Sequence, residues 1–365
     1  MLTNGRLYNF SPGPAMLPDS VMVRAKEEFL NYAGLGASVL EISHRSKDFM
    51  AIVDGAVALF RELAALPADY SVLFVAGGGR MQFSAVPLNL IGRSPSRKAL
   101  YVETGVFSAN AIKDAAPYGE IKVIASSRAT GFDRIPAIDP SLVDQDAAYL
   151  HITTNNTVYG SRWNAFPQTG QVPLVGDSTS EILSRVIDYS RFGIIYAALQ
   201  KNLGPSGTAV VVIRKDLLGQ ALPITPMLLN YASVDKGNSL VNTPSTFNIY
   251  ITWLVLQWIK EQGGVAAIEA VNNAKAKLVY DVIDSSKFYR GVVQPEHRST
   301  MNVTFHLPND ELLDAFLKGS KKEGLYALKG YRDVGGIRAS MYNAMPLEGA
   351  QTLAAYMKEF ERTNG

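Results

Sequence analysis

The sequence has 365 residues, of which 47% are hydrophobic and 19% charged, enough for a large buried core and for two domains. Its 35 basic and 33 acidic residues are interspersed and leave a formal net charge of +2, so composition points to neither nucleic acid nor an anionic membrane as a partner. Cysteine is absent, which excludes disulfides, cysteine-based zinc sites and a thiol nucleophile.

No basic segment followed by an apolar core opens the chain, so no secretory signal is expected and a cytoplasmic location is. The run Phe10-Ser-Pro-Gly-Pro-Ala-Met-Leu-Pro18 holds three prolines, which fix an extended or turning path. Asp19 to Tyr32 has helical spacing, and Asp19-Ser20 offers an N-cap. Gly34-Leu-Gly36 follows no strand and lacks a third glycine, so a dinucleotide fingerprint is not expected; a loop carrying His44 and Arg45 is. Phe49 to Leu66 reads as an amphipathic helix, Val72–Val75 as a short buried strand, Ala76–Arg80 as a glycine turn and Gln82–Ile91 as a helix. Strand, turn and helix start aim unpaired N–H groups and a helix dipole at one spot, which suits an anion. The Gly-Lys-Ser/Thr ending of a P-loop is missing, and a generic tight turn is the plain alternative.

Apolar strand candidates continue at Ala99–Val102, Ile121–Ala125, Ala148–Ile152, Val172–Val175, Phe192–Ala198 and Thr208–Ile213, as in a wound, mostly parallel α/β sheet. Function in such sheets gathers at strand ends, and three carry chemistry: Glu103 to Phe107, Thr153 to Thr157, and Asp177 to Ser180. Pro223–Val241 reads as irregular and leads to Asn242-Thr243, and Thr246–Gln262 as a helix whose apolar stretch is too short for a membrane span. Gly263-Gly264 then marks a domain boundary. The remainder alternates helix and strand as a compact α+β unit: helices at Val265–Ser285, Asp310–Gly324 and Leu347–Arg362, strands at Met301–His306 and Gly336–Met341. His151, His297 and His306 have no metal-ligand spacing, so structural roles and no metal are expected.

The strand through Ala198 stops at Gln200 and Lys201, before a loop of Gly and Pro. A lysine there sends its stem out of a buried strand, and desolvation of its amine favours the neutral, nucleophilic form that a Schiff-base lysine needs. A surface lysine at a strand end is the ordinary alternative. Asp177 lies one strand-to-strand connection earlier. Pyridoxal phosphate would employ both residues: the lysine carries the cofactor and moves the α-proton, and the aspartate keeps the pyridine nitrogen protonated. The glycine turn would hold its phosphate and Phe107 would stack on its ring.

The segments Phe10–Pro18, Glu41-Ile-Ser-His-Arg45, Gly77-Gly-Gly-Arg80, Asp177-Ser-Thr-Ser-Glu-Ile-Leu-Ser-Arg185, Ala198-Leu-Gln-Lys-Asn-Leu-Gly-Pro205 and Gly330–Ser340 together resemble the phosphoserine aminotransferases, over almost the full length and in order. The resemblance implies a fold-type I pyridoxal phosphate enzyme. Its mainly parallel α/β sheet would lie in a large cofactor-binding domain of residues 16–262, and residues 1–15 with 263–365 would form a smaller α+β domain. It implies Lys201 as the Schiff-base lysine, Asp177 as partner of the pyridine nitrogen and Thr157 on the ring hydroxyl. Gly79, Arg80 and Gln200 would bind the cofactor phosphate, joined by Asn242 and Thr243 from the other subunit of a homodimer. Arg338 would take the α-carboxylate; Arg332 and Arg80, with His44 and Arg45 of the partner, would take the substrate's other anionic end. Two positions depart from the family's usual pattern: Phe107 stands where tryptophan is common, and Tyr331 where histidine often precedes the arginine.

The activity implied is ping-pong transfer of the amino group of glutamate to 3-phosphohydroxypyruvate, giving phosphoserine and 2-oxoglutarate in serine biosynthesis, with the phosphorylated hydroxythreonine of cofactor biosynthesis as a second substrate in bacteria. Another small fold-type I aminotransferase, such as an alanine–glyoxylate type, would keep Lys201 and Asp177 without needing arginines at both substrate ends. A nucleotide-binding dehydrogenase would leave Lys201 unexplained.

Overall fold

The computed structural model describes residues 5–365; the first four residues of the expected small domain lie outside them. In chain order the principal elements are α1 (Asp19–Glu27), α2 (Lys47–Leu63), β1 (Tyr70–Ala76), α3 (Gly78–Leu90), β2 (Lys98–Glu103), α4 (Val106–Ala115), β3 (Glu120–Ser126), β4 (Leu150–Thr153), β5 (Leu174–Asp177), β6 (Ile194–Ala198) and β7 (Thr208–Arg214). These are followed by α5 (Tyr231–Lys236), α6 (Thr246–Glu261), α7 (Gly264–Ser285), β8 (Arg290–Gly291), β9 (Asn302–His306), α8 (Glu311–Lys322), β10 (Ile337–Ser340) and α9 (Leu347–Asn364).

The central sheet has seven strands in the order β1-β7-β6-β5-β4-β2-β3. β7 runs antiparallel to both its neighbours and every other pairing is parallel. The parallel strands are apolar on both faces because helices cover both. Alternation sends Phe74, Leu100, Ile152 and Val210 to one side, under α1, α2 and α6, and Val75, Tyr101, Val175 and Val211 to the other, under α3 and α4. Each such fully buried side chain contributes about 1.5–3 kcal/mol. A third apolar cluster, with Phe305, Phe316, Leu353 and Met357, fills the space between the three-stranded antiparallel sheet β8-β9-β10 and helices α7, α8 and α9. Phe10 and Met16 belong to it, so the N-terminal strand of chain packs with the C-terminal third.

Two local expectations are corrected. Asp19 does not cap α1: Pro18 occupies the N-cap with no side-chain bond, Asp19 is the first helical residue, and the helix stops at Glu27 rather than Tyr32. The stretch 223–241 is not wholly irregular, since Asn230 accepts hydrogen bonds from the backbone N–H groups of Ala232 and Ser233 and starts α5. Among the described residues no helix is long and apolar enough to cross a membrane, and no cluster of His, Asp and Glu could hold a metal ion.

Candidate active site

The parallel strands bring their C-terminal ends together. Asp177 closes β5 with Thr153 of β4 and Tyr196 of β6 beside it in register. Just beyond β6 the chain folds into a tight turn, with the N–H groups of Leu203 and Gly204 both bonded to the carbonyl of Leu199, and this turn carries Lys201 into a cavity. The proline-rich segment closes over it: the Ala15 N–H donates to the Gln200 carbonyl at 2.8 Å, and a Cβ on Gly13 would lie 3.4 Å from Lys201 Cγ. Only a glycine lets the backbone approach the lysine stem so closely, at a φ of +138°.

Lys201 is 7% exposed. Its Nζ donates to Thr157 Oγ1 and stands 5.5 Å from the centre of the Phe107 ring. Burial pulls its pKa down to about 7; the Asp177 carboxylate opposes that shift and the Arg338 guanidinium adds to it. Asp177 is buried too, which raises its pKa, while hydrogen bonds from Thr179 and the charge of Lys201 hold it down. The Thr179 N–H donates to Asp177 Oδ1 at 3.0 Å, and no basic side chain forms an ion pair with the carboxylate among the described residues.

Across the cavity, β1 runs into α3 through Gly77, whose φ of +89° is left-handed. Two residues on is Gly79, where a Cβ would sit 3.0 Å from Thr179 Oγ1 and 3.3 Å from Ala198 Cβ. The bare backbone at the helix start therefore faces the cavity, with its N–H groups and the positive end of the helix dipole available to an anion. Arg80 sits at the mouth. Its Nε and Nη2 form a bidentate pair with Asp114, at 2.8 and 3.3 Å, and its Nη1 bonds no group among the described residues. The buried oxygens Thr153 Oγ1 and Gln200 Oε1 have no partner among the described residues either.

Gly79, Arg80, Phe107, Thr157, Asp177, Gln200 and Lys201 all line this one cavity. The other expected residues do not. Arg338 on β10 is 6% exposed, its Nε meets no acceptor among the described residues, and burial lowers its pKa, with Tyr342 and Tyr331 opposing. Arg332 is solvent-exposed and pairs with its own neighbour Asp333 at 3.0 Å, and Tyr331 is half-buried beside it. Asn242 and Thr243 are exposed, and Asn242 borders a separate slot beside Gly207 and Ser245. His44 has a buried Nε2 without a partner among the described residues, and Arg45 is exposed. Sequence reasoning did not single out Thr179, which binds Asp177 and walls the anion cradle; its place two residues beyond a strand-end aspartate was the available signal. It also missed Tyr342, whose hydroxyl donates to the Pro12 carbonyl at 2.8 Å and faces Thr157.

The family model for class-V aminotransferases matches residues 7–353. The chain belongs to that family. A phosphoserine aminotransferase of Bacillus cereus is 50% identical over 359 residues, covering 98% of this chain and 99% of its own. A phosphoserine aminotransferase structure from Bacillus circulans subsp. alkalophilus matches with a TM-score of 0.95 at 44% identity, covering 99% of each chain. A PLP-bound one from Trichomonas vaginalis matches with a TM-score of 0.90 at 36% identity, covering 97% of this chain and all of its own. Class-V aminotransferases use pyridoxal phosphate, and the residues here fit it: a bare-backbone anion cradle, an aromatic face, and a buried carboxylate and buried amine on the same cavity.

Proposed function

We propose that this class-V aminotransferase moves the amino group of glutamate to 3-phosphohydroxypyruvate, giving phosphoserine and 2-oxoglutarate, in a ping-pong cycle. The observation that carries the reading is the conjunction of a desolvated lysine amine with a buried arginine that no carboxylate neutralises. A buried guanidinium left without an acceptor is costly unless a ligand supplies one, and an amino acid brings the carboxylate that would. The phosphorylated acceptor is supported by the relatives' name together with Arg80 at the site's mouth.

Bound pyridoxal phosphate supplies the carbonyl that takes up the amino group and the ring that accepts the electron pair left when the α-C–H bond breaks. Gly79, Arg80 and Gln200 would hold its phosphate, Arg80 through the Nη1 that Asp114 leaves free. Asp177 would keep the ring nitrogen protonated, Phe107 would pack on the ring face and Thr157 would bond the ring hydroxyl. Lys201 Nζ removes the α-proton of glutamate and delivers one to the new amino acid in the second half-reaction, a task suited to an amine whose pKa lies near 7. Arg338 would grip the α-carboxylate in both halves, and Tyr331, Arg332 and Arg80 would meet the distal carboxylate or phosphate.

A cytoplasmic homodimer with shared sites is part of the reading, with His44, Arg45, Asn242 and Thr243 of the partner completing each pocket; a cysteine-free composition is compatible with a reducing compartment. We also keep the division into a large unit, 16–262, and a small one, 1–15 with 263–365, supported by the separate apolar cluster of the C-terminal third. The test is the visible absorption spectrum of the cofactor-loaded protein. Glutamate should bleach the band and phosphohydroxypyruvate restore it; restoration only by other keto acids would overturn the substrate, and a protein that gains no band with pyridoxal phosphate would overturn the role of Lys201.

A further inference from the structure

Lys275 is fully buried on α7, and no carboxylate among the described residues faces it. Its Nζ donates to the carbonyls of Met341, Tyr342 and Met345, at 3.2, 2.8 and 2.9 Å. Three acceptors match the three N–H bonds of an ammonium, whereas a neutral amine has only two and would turn its lone pair on a carbonyl oxygen. Burial pulls the pKa of this lysine down to about 7, so holding a charge there is expensive, and the local fold is built around it.

What the ammonium gathers is the turn after β10, the strand that carries Arg338. Tyr342, in that turn, reaches the site directly: its hydroxyl donates to the carbonyl of Pro12, faces Thr157, and lies in the field of Arg338. Thr157 is the acceptor of the Lys201 amine, and Gly13, next to Pro12, packs on the Lys201 stem. The backbone N–H of the following residue, Asn343, donates to Asn202 Oδ1 at 3.1 Å, and Asn202 adjoins Lys201. Asn272, one helical turn before Lys275, donates to Asn343 Oδ1 at 2.9 Å and so braces the same turn from the same helix. The turn therefore touches the partners of the amine and follows the carboxylate-binding strand, and Lys275 is the group that fixes its carbonyls.

We propose that Lys275 is a positioning residue of the active site, setting the turn Met341–Met345 so that Tyr342 holds Thr157 and the Pro12–Gly13 backbone against Lys201 while Arg338 is held at its own position. A role in stability alone separates from this one by experiment. The inference rests on the functional reading of Lys201 and Arg338 given above.

The test compares wild type, Lys275→Met and Tyr342→Phe, each loaded with pyridoxal phosphate. Two quantities are measured beside the melting temperature: the midpoint of the pH titration of the visible band, which reports the surroundings of the Lys201 nitrogen, and the affinity for glutarate by calorimetry, which reports Arg338. Lys275→Met should move the titration midpoint by about half a unit or more and weaken glutarate about tenfold, as expected when a hydrogen-bonded charge that places a binding group is lost. Tyr342→Phe, which leaves Lys275 and its three carbonyls in place, should reproduce the midpoint shift with little change in melting temperature. A Lys275→Met protein that melts lower yet keeps both the midpoint and the glutarate affinity of wild type would overturn the proposal. If that variant does not fold, Tyr342→Phe decides, and an unchanged midpoint would overturn the link from the turn to Lys201. Wild-type protein that takes up neither pyridoxal phosphate nor glutarate would instead overturn the functional reading itself.

Discussion

Lys201 and Arg338 are both basic groups held in the protein interior, and the burial that makes a positive charge there costly is what makes each useful to a ligand. The pKa of Lys201 in the folded protein, about 7, lies below its ordinary 10.5, so between those values the unfolded chain binds more protons than the folded one. Stability of the cofactor-free protein should accordingly rise with pH from about 7 to 10, since the penalty is full below the folded value and vanishes above the unfolded one. Chemical denaturation of the cofactor-free protein across that range checks the slope, and Lys201→Met should flatten it in part; a wild-type slope in that variant would refute the assignment. Lys201→Ala should also cut turnover about ten-thousand-fold, the scale of a lost general base and covalent anchor together, in steady-state assays. Arg338→Met should divide stability from function: the cofactor-free protein should gain about 1–3 kcal/mol by shedding an uncompensated charge, while glutamate KM rises at least tenfold. Loss of stability together with an unchanged KM would mean that Arg338 is structural.

The elements carry the site by where they end. β1, β4, β5 and β6 deliver the glycine turn, Thr153, Asp177 and the Lys201 turn to one edge, and α3 presents its first residues there without side chains in the way. Gly79→Ala should test this arrangement: its Cβ would press on Thr179 Oγ1 and Ala198 Cβ, and the strain of about 1–3 kcal/mol that such overpacking costs should appear as weaker pyridoxal phosphate binding in a fluorescence titration. Equal affinity in the variant would remove Gly79 from the cradle. Much of this edge was legible in the sequence, because apolar runs of strand length alternate with helical spacing and because Asp177 and Lys201 interrupt those runs where strands must stop. The cap of α1 was not, since Asp19 fits an N-cap and a first helical turn equally well and the preceding Pro18 decided between them. Tyr342 and Lys275 were illegible for a deeper reason. A tyrosine after a strand and a lysine in a helix look like core and surface, and only the packing of α7 on the turn after β10 turns both toward the Lys201 site.

On the scale of the whole molecule, the chain brings seven of the expected cofactor and substrate residues to a single cavity and leaves Tyr331, Arg332 and Arg338 outside its lining, together with the four expected from a partner, Asn242, Thr243, His44 and Arg45. If those four residues serve the site of a second copy across a two-fold axis, the dependence is reciprocal, because each subunit lends to its partner what it borrows. Two defective variants should then rescue each other. Lys201→Ala spoils the site of its own chain but still presents Asn242 to the partner. Asn242→Asp keeps its own Lys201 but lends a carboxylate where the partner's phosphate should bind, a repulsion that should nearly abolish cofactor uptake there. In a mixed dimer one site collects both faults and the other collects none. Equal amounts of the two variants, unfolded and refolded together, should give mixed dimers in half of the population with one intact site in each, so about a quarter of wild-type activity should return from two preparations that are nearly inactive alone. Activity no greater than the average of the separate variants, in a preparation shown by tagged pull-down to contain mixed dimers, would place Asn242 in the service of its own chain or of no site.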